Sequence, residues 1–387
     1  MVTGDAAFIK KINRSIIMKE IMKEGTISRA TLSKVTALTR ATISAQVADL
    51  IEDGLVIEKQ IEHTLVGRKP IMLSLNAEAG YSLGIDLETD HITFMITDLL
   101  GSPISTSVVQ NDSTQYESTV QLLINHITNY KRNYIDRRHG IVGIVISVHG
   151  LVSTDEMVHF IPRLNWYRAP LKQDLEAALG FEIHVDNNAN LTAYAERVFV
   201  HHDTENLISA TLYSGIGMGM IVNNKYFCGR DGFAGEIGHM IVVPEGKPCE
   251  CGNKGCWEKY ASENIVFDQL TKLYPNEELS YNFILQKYYE KDEQLITIID
   301  QFIYYLSIGL NNVINIYNPD VVVLDSELLR IYPHSLEKIK ANMHSKISHY
   351  QGLYISVIGK KSCTLGACAK AIQLFLDVPM ITLPYKN

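Results

Sequence analysis

Residues 249–258 read CECGNKGCWE, and ten residues ahead of Cys249, in GEIGHM (235–240), stands His239. Cys249, Cys251 and Cys256 with His239 form a Cys3His set. Four protein donors with no open position describe a structural zinc, not a catalytic one. The spacing C-x-C-x4-C demands a tight knuckle, which Gly252 and Gly255 permit. Free thiols or a redox pair are the other readings of these residues. Cys228, Cys363 and Cys368 are scattered. The N-terminus shows no apolar h-region, and no run of about 18 apolar residues occurs. The expectation is therefore a cytoplasmic chain with no membrane partner. In that compartment clustered cysteines suggest metal before disulfide.

Around this knuckle lies a chain of 387 residues, 46% of them hydrophobic, long enough for two or three domains. The net charge of −8 argues against a protein that coats nucleic acid. The charge is uneven, however. Residues 1–75 carry 11 Lys and Arg against 8 Asp and Glu, and the remainder carries 24 against 35. A basic head on an acidic body fits a small nucleic-acid module joined to something that binds small molecules.

The head reads as helix, short helix, turn, helix. KINRSIIMKEIMKE (11–24) puts Ile12, Ile16, Ile17 and Ile21 on one helical face and stops at Gly25. SRATLSKV (28–35) opens on Ser28 as an N-cap. After the break TAL, the next helix is capped by Thr39 and ended by Gly54, with Ile43, Val47, Leu50 and Ile51 as its apolar stripe. Its outer face is read as Ala41, Thr42, Ala45 and Gln46, flanked by Arg40 and Ser44. Small, uncharged side chains let a helix enter a major groove, where Gln, Thr and Arg can read base edges. An ordinary three-helix bundle is the plainer alternative. LVIEKQ and PIMLSL read as two strands, and the loop between them ends in GRKP. This predicts a winged helix-turn-helix whose wing tip offers Arg68 and Lys69 to DNA phosphates or a minor groove.

From residue 81 the pattern changes. YSLGIDLE, HITFMITDL and PISTSVVQ read as three strands joined by tight turns, followed by a helix near 115–138. IVGIVISVHG is a buried strand, PLKQDLEAALG a helix with a Gly stop, FEIHVDN a strand and NANLTAYAERVF a helix. NLISATLYS, GMGMIVNN and VVVLDS repeat the strand theme, with helices over 261–275 and 295–317 and a last helix after Gly366. The fold class is α/β.

The linked set Glu236, Gly238, His239, Cys249, Cys251, Gly252, Gly255, Cys256 and Glu258 resembles the signature of the ROK family, whose members are sugar kinases and sugar-responsive repressors. The body aligns in order with that family from about residue 76 to the end. SRATLSKVTALTRATISAQV, GRKPIMLSLNAEAGYSLGID, SGIGMGMIVNN, GFAGEIGHM and CGNKGCWEKYAS together are similar to its repressor branch, above all the xylose-operon repressors of Gram-positive bacteria. The resemblance implies a two-lobed sugar-binding body, actin/hexokinase-like and ribonuclease H-like. It implies domains at 1–75 (winged helix-turn-helix), 76–190 (first lobe, completed by the C-terminal helix 365–387) and 191–364 (second lobe, with the zinc knuckle). It places Glu236, Glu258 and His239 at the sugar. Carboxylates suit that task because each accepts hydrogen bonds from neighbouring hydroxyls.

Kinases of the family need three further features. The first is a glycine-rich phosphate loop after the first strand, but GIDLETD keeps Asp86 and adds Glu88 and Asp90, which repel phosphate. The second is an Asn-Asp pair whose Asp is the base. Here Asn187 matches the asparagine and Asn188 stands at the aspartate, so sugar hydrogen bonding survives and proton abstraction does not. The third is a glycine turn on the adenosine side, which reads VVVLDSELL. Gly215, Gly217 and Gly219 of SGIGMGM remain. Arg163 replaces the family's usual asparagine in IPRLNW, with Asn165 as its substitute at the sugar.

The expectation is a sugar-responsive repressor and not an enzyme, a homodimer or dimer of dimers that binds operator DNA and is released by a small sugar, xylose first. The alternatives are a ROK-type sugar kinase with an accessory DNA-binding head, and a repressor that answers to a phosphosugar or a protein partner.

Overall fold

The computed structural model describes residues 6–60 and 71–385. In the head, α1 (Ala6–Glu24), β1 (Ile27–Ser28), α2 (Arg29–Thr36), α3 (Arg40–Glu52), β2 (Val56–Gln60) and β3 (Ile71–Leu75) follow in order, and the strands pair β1-β3-β2. Both predicted caps are present. Ser28 Oγ accepts from Thr31 N–H and Thr39 Oγ1 from Thr42 N–H, each at 3.1 Å. Such caps satisfy amides that the first helical turn leaves without partners. Between the two helices Ala37 takes a left-handed conformation at φ 56°. Ile17, Met18, Ile21, Leu32, Ile43, Val47 and Leu50 fill the core.

The stripe expected on α1 is shifted. Ile12 is 42% and Ile16 36% exposed, while Met18 and Met22 turn inward with Ile17 and Ile21. In this 19-residue helix the buried side chains all lie between Ile17 and Met22, and residues 7–12 are exposed. The wing-tip residues Arg68 and Lys69 lie outside the described residues.

The remainder divides with the head into two compact units. The first comprises Met1–Asn187, Val198–His202 and Thr364–Asn387, and the second Asn188–Arg197 and Asp203–Cys363. In the first, β4 (Tyr81–Leu87), β5 (His91–Thr97), β6 (Pro103–Gln110), β7 (Ile141–Val148) and β11 (Ile183–Asn187) form a sheet ordered β11-β7-β4-β5-β6. Its β11, β7 and β4 are parallel, and the hairpins β4–β5–β6 antiparallel. Helices α4 (Tyr116–Asn133) and α5 (Leu171–Leu179) belong to it. The near-continuous burial of β4 and β7 is what strands covered on both faces require. One cover is the helix Ser362–Leu376, which starts four residues before Gly366. A Cβ at Gly84 would lie 2.4 Å from the carbonyl oxygen of Thr364. A small sheet, β8 (Leu151–Val152), β9 (Val158–Ile161) and β10 (Trp166–Ala169), lies where no strands were predicted.

The head is tied to this unit by polar contacts. Asn76 Nδ2 donates to the Gly54 carbonyl at 2.8 Å, and His139 Nε2 to that of Asp53 at 2.9 Å. Just past the head, Arg137 donates to the carbonyls of Ala77 and Gly80 at 3.2 and 3.0 Å, fixing the segment that enters β4.

The second unit opens with α6 (Asn188–Ala195). Its sheet, ordered β14-β13-β12-β15-β16, is built from β12 (Leu207–Thr211), β13 (Gly217–Val222), β14 (Lys225–Tyr226), β15 (Val321–Asp325) and β16 (Gly352–Ile355). The long helix Glu293–Tyr317 buries Phe302, Leu306, Leu310 and Val313 in its core. Among the described residues, no helix is long and apolar enough to cross a membrane.

Candidate functional site

The knuckle folds as its glycines allow. Gly252 and Gly255 have φ of 94° and 81°, a region only glycine enters freely. At Gly255 a Cβ would sit 1.7 Å from the Val243 carbonyl oxygen, so a side chain cannot be accommodated. The amide of Cys249 donates to Asn253 and that of Gly252 to Cys249, closing the loop on itself. Downstream, the fully buried Trp257 donates Nε1–H to Tyr305 O at 2.8 Å, anchoring the loop in the core.

One ligand atom from each of His239, Cys249, Cys251 and Cys256 lies within 4.8 Å of the others. Cys251 Sγ and Cys256 Sγ are 3.6 Å apart, as are His239 Nδ1 and Cys249 Sγ. Zinc–sulfur bonds of about 2.3 Å in a tetrahedron set sulfurs about 3.8 Å apart. The donor set and its spacing therefore fit a four-coordinate metal ion.

His239 uses its two nitrogens in different directions. Nδ1 faces the cysteines, and Nε2 lies 3.9 Å from Glu236 Oε2. Glu258 joins the same group. Its Oε1 is 3.7 Å from His239 Nδ1 and accepts from the Cys249 thiol at 3.2 Å. Glu236, His239 and Glu258 are thus brought together beside the cysteines. Although 46% of the Glu236 side chain is exposed, burial raises its carboxyl above the usual range; His239 opposes the shift and Glu258 adds to it.

The other expected sugar residues sit elsewhere on the chain. Asn187 closes β11 and donates Nδ2–H to Gly150 O at 2.8 Å. Asn188 is the first residue of α6. Asn165 is exposed, in the turn between β9 and β10 at φ 56°. That hairpin gave no alternation a strand reading could use, so the turn was not legible in advance.

At the end of β4, Asp86 is 4% exposed and its Oδ1 lies 3.0 Å from His149 Nε2. At the end of β15, Asp325 accepts from Tyr213 OH at 2.7 Å, and Ser326 donates to the buried Glu263 at 2.6 Å. Tyr281 OH donates to the other oxygen of Glu263 at 2.5 Å. Burial pushes the Asp325 carboxyl up to about 6, against the pull of Tyr213. Buried carboxylates and half-buried phenols stand at the end of β15, where the sequence has no glycine turn.

On the head, Arg40, Ala41, Ser44 and Ala45 of α3 are exposed and Thr42 is half-buried. Gln46 departs from its expected position. It is 8% exposed and shares the buried stripe with Ile43, Val47 and Leu50. The spacing 43, 46, 47, 50 is itself i, i+3, i+4, i+7, so the helix turns Gln46 into the core. Ala48 is exposed instead.

A model of the ROK family matches residues 82–373, and a winged helix-turn-helix DNA-binding model matches residues 11–57. The xylose repressor of Bacillus subtilis (strain 168) is 36% identical over 388 residues, covering 98% of this chain and 99% of its own. The crystal structure of a ROK family transcriptional regulator, a homologue of the E. coli MLC protein, superposes with a TM-score of 0.82 at 27% identity, covering 95% of this chain and 96% of its own. A ROK family glucokinase from Streptomyces griseus, solved with glucose and AMPPNP, has a TM-score of 0.66 at 24% identity over 76% of this chain and 100% of its own, a likeness of fold.

Proposed function

This chain belongs to the ROK family, with a winged helix-turn-helix ahead of an actin/hexokinase-like body, and we propose that it is a repressor that leaves its operator when it binds xylose. The observation that carries this reading is the likeness to xylose repressors over nearly the whole chain, head included. The exposed face of α3 would enter the major groove, with Arg40, Ala41, Thr42, Ser44 and Ala45 toward the bases and Arg68 and Lys69 at the backbone. Two heads on a two-fold dimer would read a pseudo-palindromic site.

In this reading Glu236, His239, Glu258, Asn187, Asn188 and Asn165 hold the sugar, and zinc on His239, Cys249, Cys251 and Cys256 shapes the loop that presents them. His239 would serve both, the metal through Nδ1 and the sugar through Nε2, whose proton a metal-bound tautomer retains. The domain reading stays 1–75, 76–190 with 365–387, and 191–364. The chemistry favours binding over turnover, since the Asn188 amide cannot take a proton and Glu88 and Asp90 oppose phosphate. A neutral sugar is favoured over a phosphosugar. The Arg163 guanidinium already acts on Asp90, whose carboxyl is held below its usual range first by the His91 hydrogen bond and in smaller part by Arg163.

Release follows if sugar binds the operator-free conformer more tightly. A coupling of about 1–3 kcal/mol lowers operator affinity roughly 5–150-fold. Fluorescence anisotropy on DNA upstream of the protein's own gene, with a sugar panel headed by xylose, tests the reading. Release by xylose supports it, and a complex that no sugar alters removes it. ATP-dependent phosphorylation of the sugar would favour the kinase alternative.

A further inference from the structure

Ser147 Oγ is fully buried and has no hydrogen-bond partner among the described residues. Ser147 pairs in register with Asp86 across the parallel strands β7 and β4. Register partners project to the same face of a sheet, so the Ser147 hydroxyl and the Asp86 carboxyl share one face. Two residues on, His149 reaches that carboxyl with Nε2 at 3.0 Å. Glu88, two residues beyond Asp86, completes a group in which Asp86, Glu88 and His149 each bring a ligand atom within 4.8 Å of the others. The hairpin tip adds His91, whose Nε2 lies 3.0 Å from Glu88 and whose Nδ1 lies 2.7 Å from Asp90.

We propose that Asp86, Glu88 and His149 hold a divalent cation of the first transition row, separate from the knuckle metal and independent of any nucleotide. Two carboxylates and one imidazole make an oxygen-rich set with one borderline nitrogen, which suits Mn2+ or Fe2+ better than a thiophilic ion. Three carboxylates, those of Asp86, Glu88 and Asp90, meet one guanidinium, that of Arg163, so carboxylate charge outweighs guanidinium charge around the group. The ligands sit at the ends of two adjacent strands and on the tight turn that follows, where the sheet holds them in place. The buried Ser147 hydroxyl has a use there. It can donate to a ligating carboxylate or to a water on the ion, the outer contact that metal-binding carboxylates commonly have.

The test uses the full-length, zinc-loaded protein titrated with MnCl2, with free Mn2+ followed by electron paramagnetic resonance. The expected result is one Mn2+ per chain with the zinc content unchanged. Glu88→Gln and His149→Ala should each weaken Mn2+ binding about 10–100-fold. Thermal melting checks that the variants fold. Should His149→Ala unfold, Glu88→Gln decides, because that side chain is 40% exposed. No Mn2+ bound at millimolar concentration would overturn the proposal, as would binding that both variants leave intact. Binding lost in Cys251→Ser but kept in Glu88→Gln would assign the ion to the knuckle and overturn it equally.

Discussion

His139 Nε2 donates to the backbone carbonyl of Asp53 at 2.9 Å, tying the loop before β7 to the residue that caps the end of α3. The partner is a main-chain oxygen, so this contact reports the position of the helix end. It gives the body a direct hold on the head. His139→Ala should leave sugar affinity unchanged and weaken the sugar-dependent change in operator affinity by about 1 kcal/mol, the worth of one such bond and roughly fivefold. Operator titrations with and without xylose measure it. An unaltered ratio would show that the signal travels by another contact.

Glu236 lies on the Nε2 side of His239, away from the cysteines. Glu236→Ala should therefore keep zinc and operator binding and lose the sugar response, with sugar affinity falling by about 1.5–3 kcal/mol, the range for a charged hydrogen-bond partner. Calorimetry with xylose and metal analysis on the same sample check both halves.

Cys251 is the exposed member of the cysteine group. If the knuckle holds the proposed zinc, Cys251→Ser should lower the bound metal and reduce sugar affinity in parallel, because the same segment carries Glu258. Full sugar affinity in a metal-free variant would separate the two roles.

On α3, Arg40 is exposed and Gln46 is not. Arg40→Ala should weaken operator binding; if Arg40 meets a phosphate, the salt dependence of log K also falls by about 1. Gln46→Leu replaces a buried amide by an apolar side chain of similar size. It should leave operator affinity within twofold and change stability by less than about 1.5 kcal/mol. A large loss of operator affinity in Gln46→Leu with an unchanged melt would return that residue to the DNA face.

The head was legible because its signals are local. Ser28 and Thr39 cap where their hydroxyls stand in sequence, and the strand pattern of β2 and β3 needs no distant partner. The Cys3His group was legible for the same reason, since three of its ligands span eight residues. What was missed depends on contacts far apart in the chain. Gln46 and Ile16 were misplaced because a stripe on a helix shows periodicity but not how wide a face the neighbours cover. The pairing of Asp86 with His149, 63 residues away, arises only when β4 and β7 lie in register. No spacing in the sequence announces it.

Trp257 leaves no room on the long helix it packs against. A Cβ at Gly309 would stand 2.0 Å from its ring. Gly309 therefore cannot take a side chain while Trp257 keeps its place. With its Nε1–H bonded to Tyr305 O as well, the ring fixes where the knuckle loop ends on the long helix.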